Sequence, residues 1–201
     1  MQQSLSHLGL LGGAFDPIHS QHLALAGAAM QALGLDTVRI LPCGDPPHKR
    51  GLASAQHRWS MVTCACEHTP FTPDDSEVFQ PEKTYTVQTL RQLECQNPGA
   101  RIWFIMGQDN LAELPGWYEL KEICARCFFA VGLRPDQSMQ DPLSQAASLA
   151  AEFGARIIFL PFQGAEVSST QVRERVQSRL PLDGLVPPAV AAYIHRNQLY
   201  I

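Results

Sequence analysis

Residues 8–23 read LGLLGGAFDPIHSQHL. An apolar run feeds a Gly-Gly pair, then Phe-Asp-Pro, then two histidines three residues apart ahead of an Ala/Leu-rich segment. Leu8, Leu10 and Leu11 read as the end of a buried strand, and residues 24–33 as a helix. Gly12 and Gly13 remove side chains where the backbone has to turn tightly and a ligand has to come close. His19 and His22, at i and i+3 near the helix start, share one face. A helix N-terminus favours anions, so two imidazoles added there make a site suited to a polyphosphate. The plainer reading is a strand–turn–helix with incidental histidines. It leaves a Gly pair, an Asp and two histidines at one strand end unexplained.

Working outward, β-rich apolar runs alternate with helix-like segments. Strands are expected at 37–41 (TVRIL), 101–106 (RIWFIM), 127–133 (CFFAVGL) and 156–160 (RIIFL), with a short strand or extended segment over 71–79. Helices are expected at 54–68, 84–96, 142–153, 169–178 and 187–197. This alternation implies a parallel sheet with helices on both faces. Such sheets bind ligands outside the carboxyl ends of their strands. The polar clusters fall at those ends: 12–22 after the first strand, Pro46-Pro47-His48-Lys49 after the second, Gly107-Gln108-Asp109 after RIWFIM, and Ser168-Ser169-Thr170 with Arg173 after the last.

Each cluster has a chemical use and a bland counterpart. VSSTQVRERV carries a capping signature, Ser168 with Gln171 three residues on. Alone it is a well-capped helix; beside the other clusters its N–H groups, hydroxyls and Arg173 suit phosphate oxygens. Lys49 offers an ammonium over a polyphosphate or is a solvated loop lysine. Asp109 either accepts from ribose hydroxyls or caps a helix in GQDNLAEL. Trp117-Tyr118, after Pro115-Gly116, either stacks on a planar ring or closes a loop onto the core. Thr84-Tyr85-Thr86 reads as a helix cap facing the same cleft.

Composition bounds the rest. At 201 residues, 45% hydrophobic and 17% charged, the chain is expected to form one domain, with 180–201 a helical extension packed on it. A net charge of −4 argues against a general nucleic-acid surface, and no apolar run is long enough for a membrane span. MQQSLSHLGLLGG lacks the basic start of a secretory leader. Without a leader, six cysteines imply a reducing cytoplasm and no disulfide framework. Cys124 and Cys127 form a C-x-x-C, but with no second paired motif buried structural thiols are the better reading than zinc or redox chemistry.

Taken together, GGAFDPIHSQHL, PPHK, TYT, MGQD, PGWY, VSSTQVRERV and the closing PPAVAAYIHRNQLY resemble the bacterial nicotinate-mononucleotide adenylyltransferases of the H/T-x-G-H nucleotidyltransferase superfamily. The resemblance runs nearly end to end and keeps the family's order. It implies a Rossmann-like α/β fold and transfer of AMP from ATP to nicotinate mononucleotide, with Mg²⁺ carried mainly by phosphates and water. By similarity Gly12, Gly13, Phe15, His19 and His22 would hold ATP, the adenine lying near the final strand–helix junction. Lys49, Ser168, Ser169 and Arg173 would complete the triphosphate site. Asp109 would bind ribose, and Thr84, Thr86, Trp117 and Tyr118 would frame the nicotinate ring and its carboxylate. Two positions depart from the pattern: Gln21 stands where the family has Gly in H-x-G-H, and Ala14 where it often has Thr. A Gln at that place must turn its side chain away from the nucleotide or alter the local packing.

Three other readings compete. One is an adenylyltransferase for another phosphate acceptor, such as phosphopantetheine or the amidated mononucleotide. A second is a dinucleotide-dependent oxidoreductase, which would need G-x-G-x-x-G where GGAFDPIH stands. The third is a non-catalytic nucleotide sensor, to which Gln21 alone lends weight. The expected partners are ATP and nicotinate mononucleotide, with no nucleic acid or membrane, and a homo-oligomer is compatible with the sequence.

Overall fold

The structure, a computed structural model, describes residues 6–44, 52–80, 83–133, 140–162 and 167–201. Six strands form one all-parallel sheet: β1 (His7–Gly13), β2 (Thr37–Pro42), β3 (Phe71–Pro73), β4 (Arg101–Gly107), β5 (Cys127–Gly132) and β6 (Ile157–Leu160), in the order β3-β2-β1-β4-β5-β6. The helices are α1 (Ser20–Leu33), α2 (Ala55–Cys66), α3 (Thr86–Gln96), α4 (Leu120–Arg126), α5 (Gln140–Phe153), α6 (Ser169–Gln177) and α7 (Pro188–Arg196).

Both faces of β1 are buried, which is why its apolar run is nearly continuous rather than alternating. Leu8 and Leu10 point into a cluster with Val87, Leu90, Leu93, Ile123 and Leu149, contributed by α3, α4 and α5. Leu11 points the other way, among Leu25, Ala29, Met61, Val62, Val172 and Val190 of α1, α2, α6 and α7. The chain therefore winds one way from β1 through β3 and the other way from β4 onward. The reversal lies between β1 and β4, where a doubly wound sheet opens its ligand crevice. The register shows the opening: β1–β4 pairing stops at Leu11↔Ile105, while β1–β2 runs on to Gly13↔Pro42 and β4–β5 to Gly107↔Gly132.

Some expected boundaries move. The first helix starts at Ser20, not 24, because His19 serves as its N-cap with extended backbone. The third starts at Thr86, with Tyr85 as cap, and the extended segment after residue 71 is a strand for only three residues. The tight turn after β1 is made by Phe15, whose φ is 48°, and not by the glycines, which lie in the strand. The physical reason is the Phe15 ring: a Cβ on Gly13 would sit 3.1 Å from it, so Gly13 makes room for a buried aromatic. None of the six cysteines forms a disulfide. Cys124 and Cys127 are buried at the α4–β5 junction, Cys127 donating to Ile123 O at 3.3 Å. Burial pushes both thiols up, and that of Cys66 to about 11, so they stay protonated and inert.

Candidate active site

The β1–α1 loop and the α6 N-terminus are bolted together. Ser169 Oγ donates to Pro17 O at 2.9 Å, and Arg173 Nη1 donates to Asp16 O at 2.7 Å. The sequence clusters at 12–22 and 168–173 thus meet in one place. Ser168 caps α6, its Oγ accepting from Gln171 N–H at 3.2 Å. A hydroxyl has one proton, and that of Ser169 is committed to the loop. Ser169 is therefore a strut between the two elements in this structure. Arg173 Nη2 reaches Thr170 Oγ1 at 3.1 Å, and the guanidinium remains partly exposed.

His19 and His22 stack with ring centroids 3.6 Å apart and planes 23° from parallel. Phe15 meets His22 edge-on at 4.9 Å, so its role here is to buttress that ring. His19 N–H donates to His22 Nδ1 at 3.2 Å, which requires a neutral His22 to carry its proton on Nε2. His19 is 6% exposed, and burial lowers its pKa to about 4. At neutral pH it is an uncharged ring whose buried Nδ1 lacks a hydrogen-bond partner among the described residues. Part of the α1 N-terminus is already used: Ser20 N–H donates to Leu185 O at 2.8 Å. Gln21, the departure from H-x-G-H, lies in the first turn of α1 and is half-buried.

On the far side of the crevice, Gly107 caps a short 3₁₀ turn, Gln108–Leu111, so Asp109 sits inside that turn and is not its cap. Its side chain is exposed at the carboxyl end of β4. Trp117 packs edge-on against Phe104 at 5.3 Å, with a partly open face. Tyr118 is 54% exposed and pairs with Tyr85, ring centroids 4.7 Å apart. The Thr84-Tyr85-Thr86 and Trp117-Tyr118 segments thus join, with Tyr85 as the link and Thr86 in the first turn of α3. Thr84 turns back to Glu77, a buried carboxyl that also accepts from Thr89 Oγ1. Burial raises the Glu77 pKa. Lys49 lies outside the described residues, as do Pro46, Pro47 and His48.

Sequence reasoning missed the groups beneath these loops. Arg58 of α2 is 2% exposed and donates to the carbonyl oxygens of Ala53 (3.0 Å), Ala14 (2.8 Å), Cys43 (2.7 Å) and Gly44. It ties the β1 loop to the β2 loop that leads toward Lys49. Asp16 Oδ1 accepts from Ala53 N–H at 3.1 Å and from Tyr200 Oη at 2.7 Å. Nothing in local sequence marks Arg58 or Tyr200, because their partners are up to 184 residues away. Among the described residues no group of three or more His, Cys, Asp or Glu is placed to hold a metal, and no helix is long and apolar enough to cross a membrane.

A family model described as cytidylyltransferase-like matches residues 10–175, a stretch that spans the crevice, the histidine pair and the capped start of α6. Similar chains are the probable nicotinate-nucleotide adenylyltransferases of Gloeobacter violaceus, 40% identical over 96% of this chain and 95% of that one, and of Synechococcus sp. (strain JA-3-3Ab), 37% identical over 96% and 94%. The Plasmodium falciparum nicotinic acid mononucleotide adenylyltransferase complexed with NaAD has the same fold, with a TM-score of 0.79 at 19% identity and 97% of each chain covered. The chain belongs to the nicotinate-nucleotide adenylyltransferase family.

Proposed function

We propose that this enzyme transfers AMP from ATP to nicotinate mononucleotide, releasing pyrophosphate and forming the deamido dinucleotide. The observation that carries the reading is the bolting of Ser169 and Arg173 onto Pro17 and Asp16, which sets a guanidinium on the loop that leads into the stacked His19–His22 pair. A phosphate oxygen of the mononucleotide attacks the α-phosphorus. The bond from that phosphorus to the bridging oxygen breaks, and pyrophosphate leaves with the electron pair. The nucleophile is already anionic, so no general base is needed. The residues work by holding two anions in line and neutralising the leaving group.

In this reading His19, His22, Lys49 and Arg173 face the triphosphate, with Gly12, Gly13, Phe15, Ser168 and Ser169 shaping its seat. Asp109 takes the ribose. Tyr118, with Trp117 and Tyr85, supplies a face for the pyridine ring. The first turn of α3 with Thr86 offers N–H and hydroxyl donors to a carboxylate, which favours the acid over the amide. The groups assigned here to the phosphates, two histidines, a lysine and an arginine, suit phosphate oxygens, so Mg²⁺ fits as an ion held mainly by phosphates and water. When bound it neutralises charge on the leaving pyrophosphate. Six cysteines without a disulfide suit a reducing cytoplasm as the place of action. The test is pyrophosphate release from ATP and Mg²⁺ with nicotinate or nicotinamide mononucleotide. Release with neither sinks the reading, and preference for the amide reverses the substrate.

A further inference from the structure

The C-terminal segment reaches the loop after β1, where Tyr200 meets Asp16. Beyond α7 the chain curls back, with Gln198 and Tyr200 at φ values of 51° and 65°. A bulky residue holds that conformation only where its surroundings determine it. Here the Tyr200 ring is half-buried and its hydroxyl donates to Asp16 Oδ1 at 2.7 Å. Burial and the adjacent carboxylate push the phenol well above its ordinary value, so it remains a donor at any working pH.

Asp16 is 3% exposed, and the donors from Tyr200 and Ala53 both land on Oδ1. Its other oxygen, Oδ2, lies 4.0 Å from Arg173 Nη1. A charge-assisted hydrogen bond would bring those atoms to about 2.8 Å. The pair is therefore loose, although the two groups are neighbours. Arg173 spends its bonds on the Asp16 backbone oxygen and on Thr170 instead.

We propose that Tyr200 is a positioning residue for ATP: by pinning Asp16 through Oδ1, it keeps the carboxylate from capturing Arg173, whose guanidinium stays available to the triphosphate. Without the hydroxyl, Asp16 turns toward Arg173 and closes the loose pair into a hydrogen-bonded one that competes with phosphate. This rests on the ATP reading above, and Tyr200 lies beyond the residues 10–175 that the family model matches.

The test compares the full chain with Tyr200→Phe and with Tyr200→Phe/Asp16→Asn. Mg·ATP binding is measured by calorimetry, and KM is measured for each substrate. Tyr200→Phe is expected to weaken ATP binding and raise the KM for ATP about fivefold or more, as loss of a hydrogen bond to a charged group implies. The KM for the mononucleotide should stay within about twofold, a change worth well under the 1.4 kcal/mol of a tenfold effect. Adding Asp16→Asn removes the competing charge and should recover ATP binding. Unchanged ATP binding in Tyr200→Phe overturns the proposal. So does a parallel rise in both KM values, a lower active fraction with both KM values unchanged, or no recovery in the double variant. Absence of ATP binding by the unaltered protein would instead remove the functional reading itself, and the proposal with it.

Discussion

His19 donates its backbone N–H to the Nδ1 of His22 while the two imidazole rings stack 3.6 Å apart. The backbone of one histidine thereby orients the ring of the other. With Nδ1 occupied as an acceptor, the Nε2–H of a neutral His22 is the atom that can meet a phosphate oxygen. His22→Ala should lower kcat by about 100-fold or more, as loss of an oriented donor in a water-poor site does. It should cost only about 1 kcal/mol of stability, the worth of the cap it removes. Turnover within about threefold of the unaltered enzyme, well short of a tenfold 1.4 kcal/mol effect, would refute the assignment.

The neighbouring ring makes stability depend on pH. His19 is nearly buried, and its pKa falls from 6.5 to about 4. Above pH 6.5 both folded and unfolded states are neutral at this residue, and it adds no slope. Between 6.5 and about 4 the unfolded chain binds a proton that the folded one refuses, so stability falls as pH falls. At pH 4.5 the loss from this residue is about 2.5 kcal/mol. Urea unfolding at pH 7 and pH 4.5 should show a drop smaller by that amount in His19→Asn. Equal drops in the two proteins would mean that the ring is already solvated.

Tyr118 separates substrate binding from folding. It is 54% exposed and leans on Tyr85, so Tyr118→Ala should change stability by less than about 0.5 kcal/mol. Stacking on a planar ring is worth about 0.5–1.5 kcal/mol, which predicts a rise in KM for the mononucleotide of about two- to twelvefold. The KM for ATP should not move. A rise confined to ATP would place the pyridine elsewhere.

Gly44 holds the β2 loop against Glu77. A Cβ at residue 44 would lie 2.5 Å from the backbone oxygen of Glu77, and backbone cannot swing aside as a flexible side chain can. Gly44→Ala should therefore destabilise by about 1–3 kcal/mol, read as a lower urea midpoint at unchanged slope. A midpoint equal to that of the unaltered protein would show that the loop moves freely.

Much of this was legible in residue order. Strand β1 and the helix after it, the parallel alternation and the placing of polar clusters at strand ends follow from hydrophobic period and turn residues, which act over a few positions. The capped start of α6 was readable for the same reason, since Ser168 and Gln171 are three residues apart. The two glycines point to the turn after β1, yet they lie in the strand and Phe15 makes the turn. The need for Phe15 at positive φ arises only from where its ring is buried.

By itself, then, the sequence determined the fold class and the family, which rest on local spacing and on motifs in order. The tertiary structure alone decided that Asp109 lies inside a turn rather than capping it, that Ser169 is a strut, and that Arg58 ties two loops together. It also decided that Tyr200 donates to Asp16 of the loop after β1. Those roles depend on partners distant along the chain, and residue order carries no distance until the sheet and its flanking helices have closed.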